Sequence, residues 1–391
     1  MIKNKYYKVC HITTVHPPSD VRIFHRECKT LVSYGYKVSL VVPYNKDEMV
    51  DGVYIRSIIG SNNRIKRVFL TIWQAYFKAL KENAIIYHFH DPELIPIGFL
   101  LKILHKKIVV YDVHEHYSEI VMQRLPKFLQ NSLVKRFLKF ILEKVPTKIF
   151  DLLVFPTSSL MYEYNATSKG VVLINLPSKY DCDTFPFPWE ERMYDIVFVG
   201  TISPPRMRFL VEVAIELAQF IPKFKWLLVG IPSSTIIWMF ENYDRYFLED
   251  YFTFVPRVPF NEVLEYLKRS RIGFNYHPIE KRFEVSIPMK VFEYMAVGLP
   301  VVTSSLPELE NLLTNKKHVF MINSQKSIDF AKSILSLLQK PKEAEVLGTS
   351  AQRYIQEYLN WENISAPKIL SSYSTLLERR KNYGKKINCK C

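Results

Sequence analysis

Short apolar runs bounded by turn residues alternate with amphipathic stretches along almost the whole chain, and this alternation restricts the possible folds more than any other feature. Runs such as Lys37–Val42 and Lys225–Val229 are too short for helices, and each is followed by residues at helical spacing. That is the pattern of βα units feeding a parallel sheet. In the first half, strands are expected at Lys8–Val15, Lys37–Val42, Ile85–Phe89, Lys107–Tyr111, Asp151–Phe155 and Val171–Ile174. Helices are expected near Arg22–Tyr34, Ile65–Lys81, Leu94–Leu104 and Pro126–Glu143. The proline-rich stretch Asn175–Glu191 lacks periodicity and reads as a linker. The alternation then restarts, with strands at Asp195–Val199, Lys225–Val229, Ile272–Asn275 and Leu299–Thr303 and helices near Arg206–Phe220, Asn261–Lys268 and Ile287–Val297.

From Ser327 to Arg380 the pattern is helical, broken at Pro341 and at Asn360–Trp361. With no strand left to feed, the last helix is expected to cross back over the first domain. A chain of 391 residues is long enough for two cores. The expected division is a first domain over 1–174, a linker over 175–191, a second domain over 192–360, and a returning helix with a frayed basic tail over 361–391.

A hydrophobic fraction of 48% with 23% charged residues is that of a globular protein rather than a disordered one. The formal charge of +15 implies an anionic partner: phosphorylated substrates, an acidic lipid surface or nucleic acid. Nucleic acid has little to recommend it, since no zinc finger, RNP-like strand or helix-turn-helix spacing is present. Cys10, Cys28, Cys182, Cys389 and Cys391 are scattered and odd in number, without CxxC spacing, which fits a reducing compartment. The first apolar run is short and broken by His11, so no secretory signal is read, and Lys102, His105, Lys106 and Lys107 interrupt the best candidate for a membrane span. The expected location is cytoplasmic, with any membrane contact peripheral.

Two open parallel sheets each place a ligand crevice beyond the C-terminal ends of their strands, so two such domains are expected to face a common cleft. Functional residues should follow strands. After Asp195–Val199 comes GTISPPRMR, with Gly200 for close backbone approach and Arg206 at a helix start. A helix N-terminus with a guanidinium suits a diphosphate, although Arg206 and Arg208 could equally be solvated surface charges. In PMKVFEYMAVGLPVV, from Pro288 to Val302, Lys290 and Glu293 lie one helical turn apart. An exposed pair of this kind contributes only about 0.2–0.5 kcal/mol. Val291, Phe292, Met295 and Ala296 make the helix apolar on its other sides, however, and a charged pair on a largely buried helix usually has a ligand to serve. The arrangement suits a nucleoside diphosphate, with the ammonium for phosphate and the carboxylate for the ribose diol.

FEYMAVGLPVV resembles the signature helix and strand of the retaining glycosyltransferases of family 4, which have the two-domain GT-B fold. HITTVHPPSDVRIFHRECKTLVSYGYKVSLVVP, HFHDPELIPIG and VYDVHEHY resemble the N-terminal domain of a bacterial surface-polysaccharide subgroup, and the resemblance runs nearly end to end. It implies two doubly wound Rossmann-like α/β domains and sugar transfer, with retention, from a nucleotide-diphosphate sugar to a lipid-linked glycan acceptor in capsule or lipopolysaccharide synthesis. It further implies that Glu293 holds the donor ribose, Arg206 and Lys290 the diphosphate, and His114 the donor sugar, while Asp20 and Arg22 line the cleft floor near phosphate or acceptor. No metal or other cofactor is implied. The family's usual earlier Glu would fall at Val285; Glu284 lies one residue too early, and Ser286 offers a hydroxyl in the same loop.

Histidine density supports a different reading. His88, His90 and Asp91 in HFHD and Asp112, His114, Glu115 and His116 in DVHEH could serve a metal-dependent hydrolase, since strand alternation puts His88 and His90 on one face. A non-catalytic binding subunit of the same fold is a further alternative. Finally, Leu125–Pro146 is a basic amphipathic segment, with Phe128, Leu133, Phe137, Phe140 and Ile141 beside Lys135, Arg136 and Lys139. It could pack on its own domain or lie on an anionic leaflet.

Overall fold

The computed structural model describes residues 7–388 except 62 and 64–66. The expected start of a helix at Ile65, the basic residues 1–6 and Cys389 and Cys391 lie outside the described residues. The chain divides into two compact units, Met1–Asn175 with Ile364–Cys391, and Leu176–Asn363.

The first unit is built on an eight-stranded sheet: β1 (Lys8–Ile12), β2 (Lys37–Pro43), β3 (Glu48–Val50), β4 (Val53–Ile58), β5 (Ile86–Phe89), β6 (Ile108–Asp112), β7 (Leu152–Phe155) and β8 (Gly170–Val172), in the order β3-β4-β2-β1-β5-β6-β7-β8. All neighbours are parallel except β3 and β4. The second sheet comprises β9 (Tyr194–Val199), β10 (Trp226–Val229), β11 (Phe252–Val255), β12 (Ser270–Asn275), β13 (Val301–Ser304) and β14 (Phe320–Ile322) in the order β11-β10-β9-β12-β13-β14. This is the doubly wound Rossmann order, 3-2-1-4-5-6, and the first sheet contains it too.

Period-two alternation sorts side chains to the two sheet faces. In the first unit Cys10, Ile12, Tyr87, Phe89, Val109 and Tyr111 join one apolar cluster with the helices Ile72–Lys81 and Ile95–Ile103. His11 and His88, in register as neighbours on β1 and β5, point to the other face. There they lie under the helix Val21–Cys28 and the C-terminal helix Ala366–Asn388, which belongs to the first unit. In the second unit Phe198, Trp226, Leu228 and Phe274 pack against Met207, Phe209 and Leu210 of the helix Pro204–Ala218.

Several elements differ from the sequence reading. Strands β3 and β4 form a hairpin closed by Asp51 and Gly52, both at positive φ, a turn that the Asp-Gly pair favours. Strands β11 and β14 are short edge strands with little alternation to reveal them. The helix expected from Pro126 begins at Ser132 because the Asn131 side chain accepts the N–H groups of Leu133 and Val134. Residues 175–191 are more than a linker: two 3-10 turns, Lys179–Asp183 and Trp189–Glu191, fold them into the second unit. Cys182 and Trp189 are buried, and the Gln352 amide donates to the carbonyls of Cys182 and Thr184.

Candidate functional site

In the second unit the strand order reverses between β9 and β12, which pair in parallel, so the crevice expected of this fold lies beyond their C-terminal ends. Gly200 leaves β9 at φ +102°, a conformation that L side chains avoid, and a Cβ there would stand 3.9 Å from the Lys290 ammonium. The helix Met289–Val297 carries Lys290 in its first turn. Val291, Phe292 and Tyr294 to Val297 are buried, so Met289, Lys290 and Glu293 are its only residues with appreciable exposure. Its position is fixed at both ends: the Tyr294 hydroxyl accepts the Val199 N–H at 2.9 Å, and Gly298, at φ +86°, lets the chain turn into β13.

The Lys290 Nζ lies 3.9 Å from the centroid of the Phe198 ring. Burial, and then the Arg206 charge, push its pKa down to about 7, while Glu293 opposes the shift. The contact of this ammonium among the described residues is the Phe198 ring, with the Arg206 and Glu293 charges acting on it in opposite senses. A desolvated ammonium of this kind has its protonated form restored when an anion binds beside it.

Arg206 donates from Nε (3.1 Å) and Nη2 to the carbonyl of Tyr276, the first residue after β12, and its guanidinium lies 5.7 Å from the Phe283 ring centroid. The Tyr276 ring stacks on Phe209 at 3.5 Å. The helix start beside Arg206 differs from expectation: Pro204 and Pro205 have no N–H, and the N–H groups of Arg206 and Met207 bond to Ser203. Side chains, rather than a ring of free amides, therefore supply the cations here. Arg208 is exposed and interacts with Tyr243. Glu284 is exposed at the end of the short helix Lys281–Glu284, and the half-buried Ser286 follows, its N–H donating to the Phe283 carbonyl at 3.0 Å. The structure thus brings Gly200, Arg206, Lys290 and Glu293 to one place at the end of β9, with Ser286 and Glu284 in the loop that bears Phe283.

In the first unit His114 follows β6, partly exposed, its ring 5.3 Å from that of His16. Its Nε2 lies 3.1 Å from Oδ2 of Asp112, the buried last residue of β6. Burial alone would raise the Asp112 pKa, but the Arg22 charge and then His114 hold it well below the usual carboxylate range. Arg22 was expected at a ligand surface. It is buried instead, with Nε and Nη2 on the two oxygens of Asp112 (2.9 and 2.8 Å) and Nη1 on the Leu173 carbonyl (3.1 Å). Asp20 is the N-cap of its helix, accepting the N–H groups of Arg22 and Ile23, both at 2.9 Å.

Behind Asp112 lies a polar network in which His88 and His90, read from sequence as possible metal ligands, are joined by His11, Glu27 and Tyr373, which the sequence did not point to. His90 bonds to Asp112 at 3.1 Å and to His11 at 3.0 Å, and the Tyr373 hydroxyl meets His88 at 2.8 Å. Burial holds His11 and His88 well below their ordinary pKa, as neutral rings, and raises that of Glu27, with the Asp112 charge adding to the shift. The bonded pairs are separated by 22 to 285 positions in sequence, so no single local motif contains the network.

The hydrolase reading meets an obstacle here. His11, Glu27, His88 and His90 do offer atoms within 4.8 Å of one another, but all four are buried, whereas a catalytic metal keeps a position open to water or substrate. In the second candidate group, His90, Asp112 and His114, both Asp112 oxygens are taken by Arg22. Asp91 accepts from Thr13 and Thr14, Glu115 is exposed, and His116 pairs with Glu163.

Residues 206–368, which include Arg206, Lys290 and Glu293, match the family described as Glycosyl transferase-like. No curated protein matches the chain in sequence. Among solved structures, sucrose-phosphate synthase from Thermosynechococcus elongatus superposes with a TM-score of 0.71 at 17% identity, over 95% of this chain and 100% of that one. HepE of Anabaena in complex with UDP-glucose gives a TM-score of 0.67 at 12% identity, over 95% and 100% of the two chains. The catalytic domain of Starch Synthase IV from Arabidopsis thaliana, bound to ADP and acarbose, gives 0.65 at 12% identity, over 94% and 99%. The chain therefore has the GT-B fold, and the match over residues 206–368 together with that fold supports a glycosyltransferase.

Proposed function

We propose that this protein is a retaining glycosyltransferase of family 4 that moves a sugar from a nucleotide-diphosphate donor to a hydroxyl of a glycan acceptor in surface-polysaccharide synthesis. The acceptor in this reading is lipid-linked, and the enzyme works in the cytoplasm at the inner face of the plasma membrane. The observation that carries the proposal is the desolvated Lys290 ammonium beside the backbone of Gly200, with the Arg206 and Glu293 charges close by. The complexes of HepE with UDP-glucose and of Starch Synthase IV with ADP make a nucleotide donor a natural occupant.

In the transfer, the bond from the anomeric carbon to the diphosphate oxygen breaks with its electron pair left on the oxygen, while the acceptor oxygen bonds to that carbon and its hydroxyl proton passes to the departing diphosphate. Negative charge grows on the departing diphosphate. In this reading Arg206 and Lys290 stand where that charge develops and stabilise it with little reorganisation, without a metal ion. Glu293 binds the ribose diol through its carboxylate, Ser286 or Glu284 contacts the donor, and His114, held by Asp112, meets the sugar.

Calorimetry with UDP, GDP, ADP and CDP tests the proposal and selects the base. Glu293→Ala should weaken binding of the preferred nucleotide by roughly tenfold or more, as expected for loss of a charged hydrogen bond. Unchanged affinity for every nucleotide would refute the ribose assignment. A turnover assay with nucleotide sugars separates the enzyme from a non-catalytic binding subunit.

A further inference from the structure

We propose that the outward surface of the β6–β7 crossover, residues 123–144, docks the protein on a bilayer rich in anionic lipid. The sequence leaves open whether this segment packs its apolar side inward, and in the structure only part of it does: Leu142 packs on the first unit's core, while Leu133, Phe137 and Phe140 stay outside. From 119 to 142 no residue is buried. In the helix Ser132–Lys139 and the turn that follows, Leu133, Phe137 and Phe140 form one stripe at helical spacing and are 76%, 61% and 51% exposed, and Phe128 just before is 79% exposed. An ordinary surface helix buries such a stripe against its own domain.

The charges on the segment are one-sided. Arg124, Lys127, Lys135, Arg136, Lys139 and Lys144 stand against a single carboxylate within it, Glu143, which is turned inward and accepts the Ser118 hydroxyl; Lys135 pairs with Glu119 just outside the segment at 2.7 Å, which leaves the other five cations for the surface. Aromatic and leucine side chains interleaved with cations are what the headgroup boundary of an anionic leaflet accommodates, the rings entering the acyl region while the ammonium groups stay among the phosphates. The net charge of +15 on the whole chain acts in the same sense.

The neighbouring helices extend the surface. Ile72–Lys81, Ile95–Ile103 and the 132–149 crossover contribute to one cluster on the same face of the sheet, so their far sides look away from it together. Trp73 and Phe77, and Phe99 and Ile103, are exposed on those helices as well. A second copy of the chain would bring a second set of cations against the first, which favours a lipid surface over self-association. The inference deepens the membrane location of the proposed function, and its test, run without nucleotide or acceptor, fails or succeeds separately from the transfer reaction.

The test is co-sedimentation of the full chain with phosphatidylcholine vesicles and with vesicles containing phosphatidylglycerol, without nucleotide or acceptor. Binding should require the anionic lipid and fall as salt rises. The Arg136→Gln and Lys139→Gln variants should each lose roughly fivefold in affinity, about what one cation near the surface contributes. Phe137→Ser with Phe140→Ser should lose binding further while leaving the thermal unfolding midpoint and nucleotide affinity unchanged. The proposal is overturned if the wild type ignores anionic vesicles, if all variants bind as it does, or if the aromatic face instead mediates a dimer that those serine variants dissociate.

Discussion

Arg22 and Asp112, ninety positions apart, meet in the interior of the first unit through two parallel hydrogen bonds of 2.9 and 2.8 Å. The pair anchors more than itself, because Asp112 also receives His90 and lies beside His114. Arg22→Met would leave a buried carboxylate without its counter-charge, a loss of about 3–5 kcal/mol. Chemical denaturation should show the first unit unfolding at lower denaturant, with the second unit unaffected.

Lys290 predicts a pH dependence whose sign can be worked out. Its folded pKa is depressed to about 7 from an ordinary value of 10.5, so between these values the unfolded chain holds the proton and the folded one does not. This group therefore makes stability rise with pH from about 7 toward 10.5. A bound diphosphate raises the pKa again, so nucleotide binding above neutral pH should take up a proton. Calorimetry at pH 8 in buffers of different ionisation enthalpy measures that uptake, and Lys290→Met should abolish it.

The same substitution separates stability from function. Removing a desolvated ammonium should raise the thermal midpoint of the second unit, whereas a variant without the cation should transfer sugar more slowly. For Arg206→Ala and Lys290→Ala the fall in kcat should be about 100-fold to 1,000-fold, the scale for losing one group aimed at developing charge. Nucleoside affinity should change much less. A loss of nucleotide affinity with kcat unchanged would mean that the cations act in ground-state binding alone.

Asp20 is predicted to act as a helix cap rather than as a ligand contact. Asp20→Ala should cost about 1 kcal/mol and leave nucleotide affinity unchanged. Burial would raise its pKa, but the hydrogen bond and charge of His16 and the Ile23 N–H lower it overall to about 2. The stability it contributes is complete above its ordinary value of 3.8 and is lost as pH falls through about 2. Acid unfolding of wild type and variant should converge there.

Tyr373 tests whether the last helix is integral to the first unit. Its buried hydroxyl meets His88 at 2.8 Å, and Tyr373→Phe would strand a polar nitrogen inside the core, at about 1–3 kcal/mol. Hydrogen exchange should quicken in β1 and β5 and not in the second unit.

The sequence by itself determined the parts whose physics is local. Alternation fixed the main strands of both sheets, because a period-two run can bury its face in only one way, and Gly298 stops the Met289–Val297 helix where the chain must adopt positive φ. The spacing of Lys290 and Glu293 on a mostly apolar helix was likewise visible before any coordinates. What tertiary structure alone decided was which partners each side chain meets. Arg22 and Arg206 look alike in sequence, yet one is locked to a buried Asp112 contributed by a distant strand and the other lies beside Lys290 at the end of β9. Whether the stripe of Leu133, Phe137 and Phe140 faces the core or the solvent was undecided for the same reason. Burial and pairing depend on residues brought together across the fold, and neither composition nor periodicity along one segment contains that information.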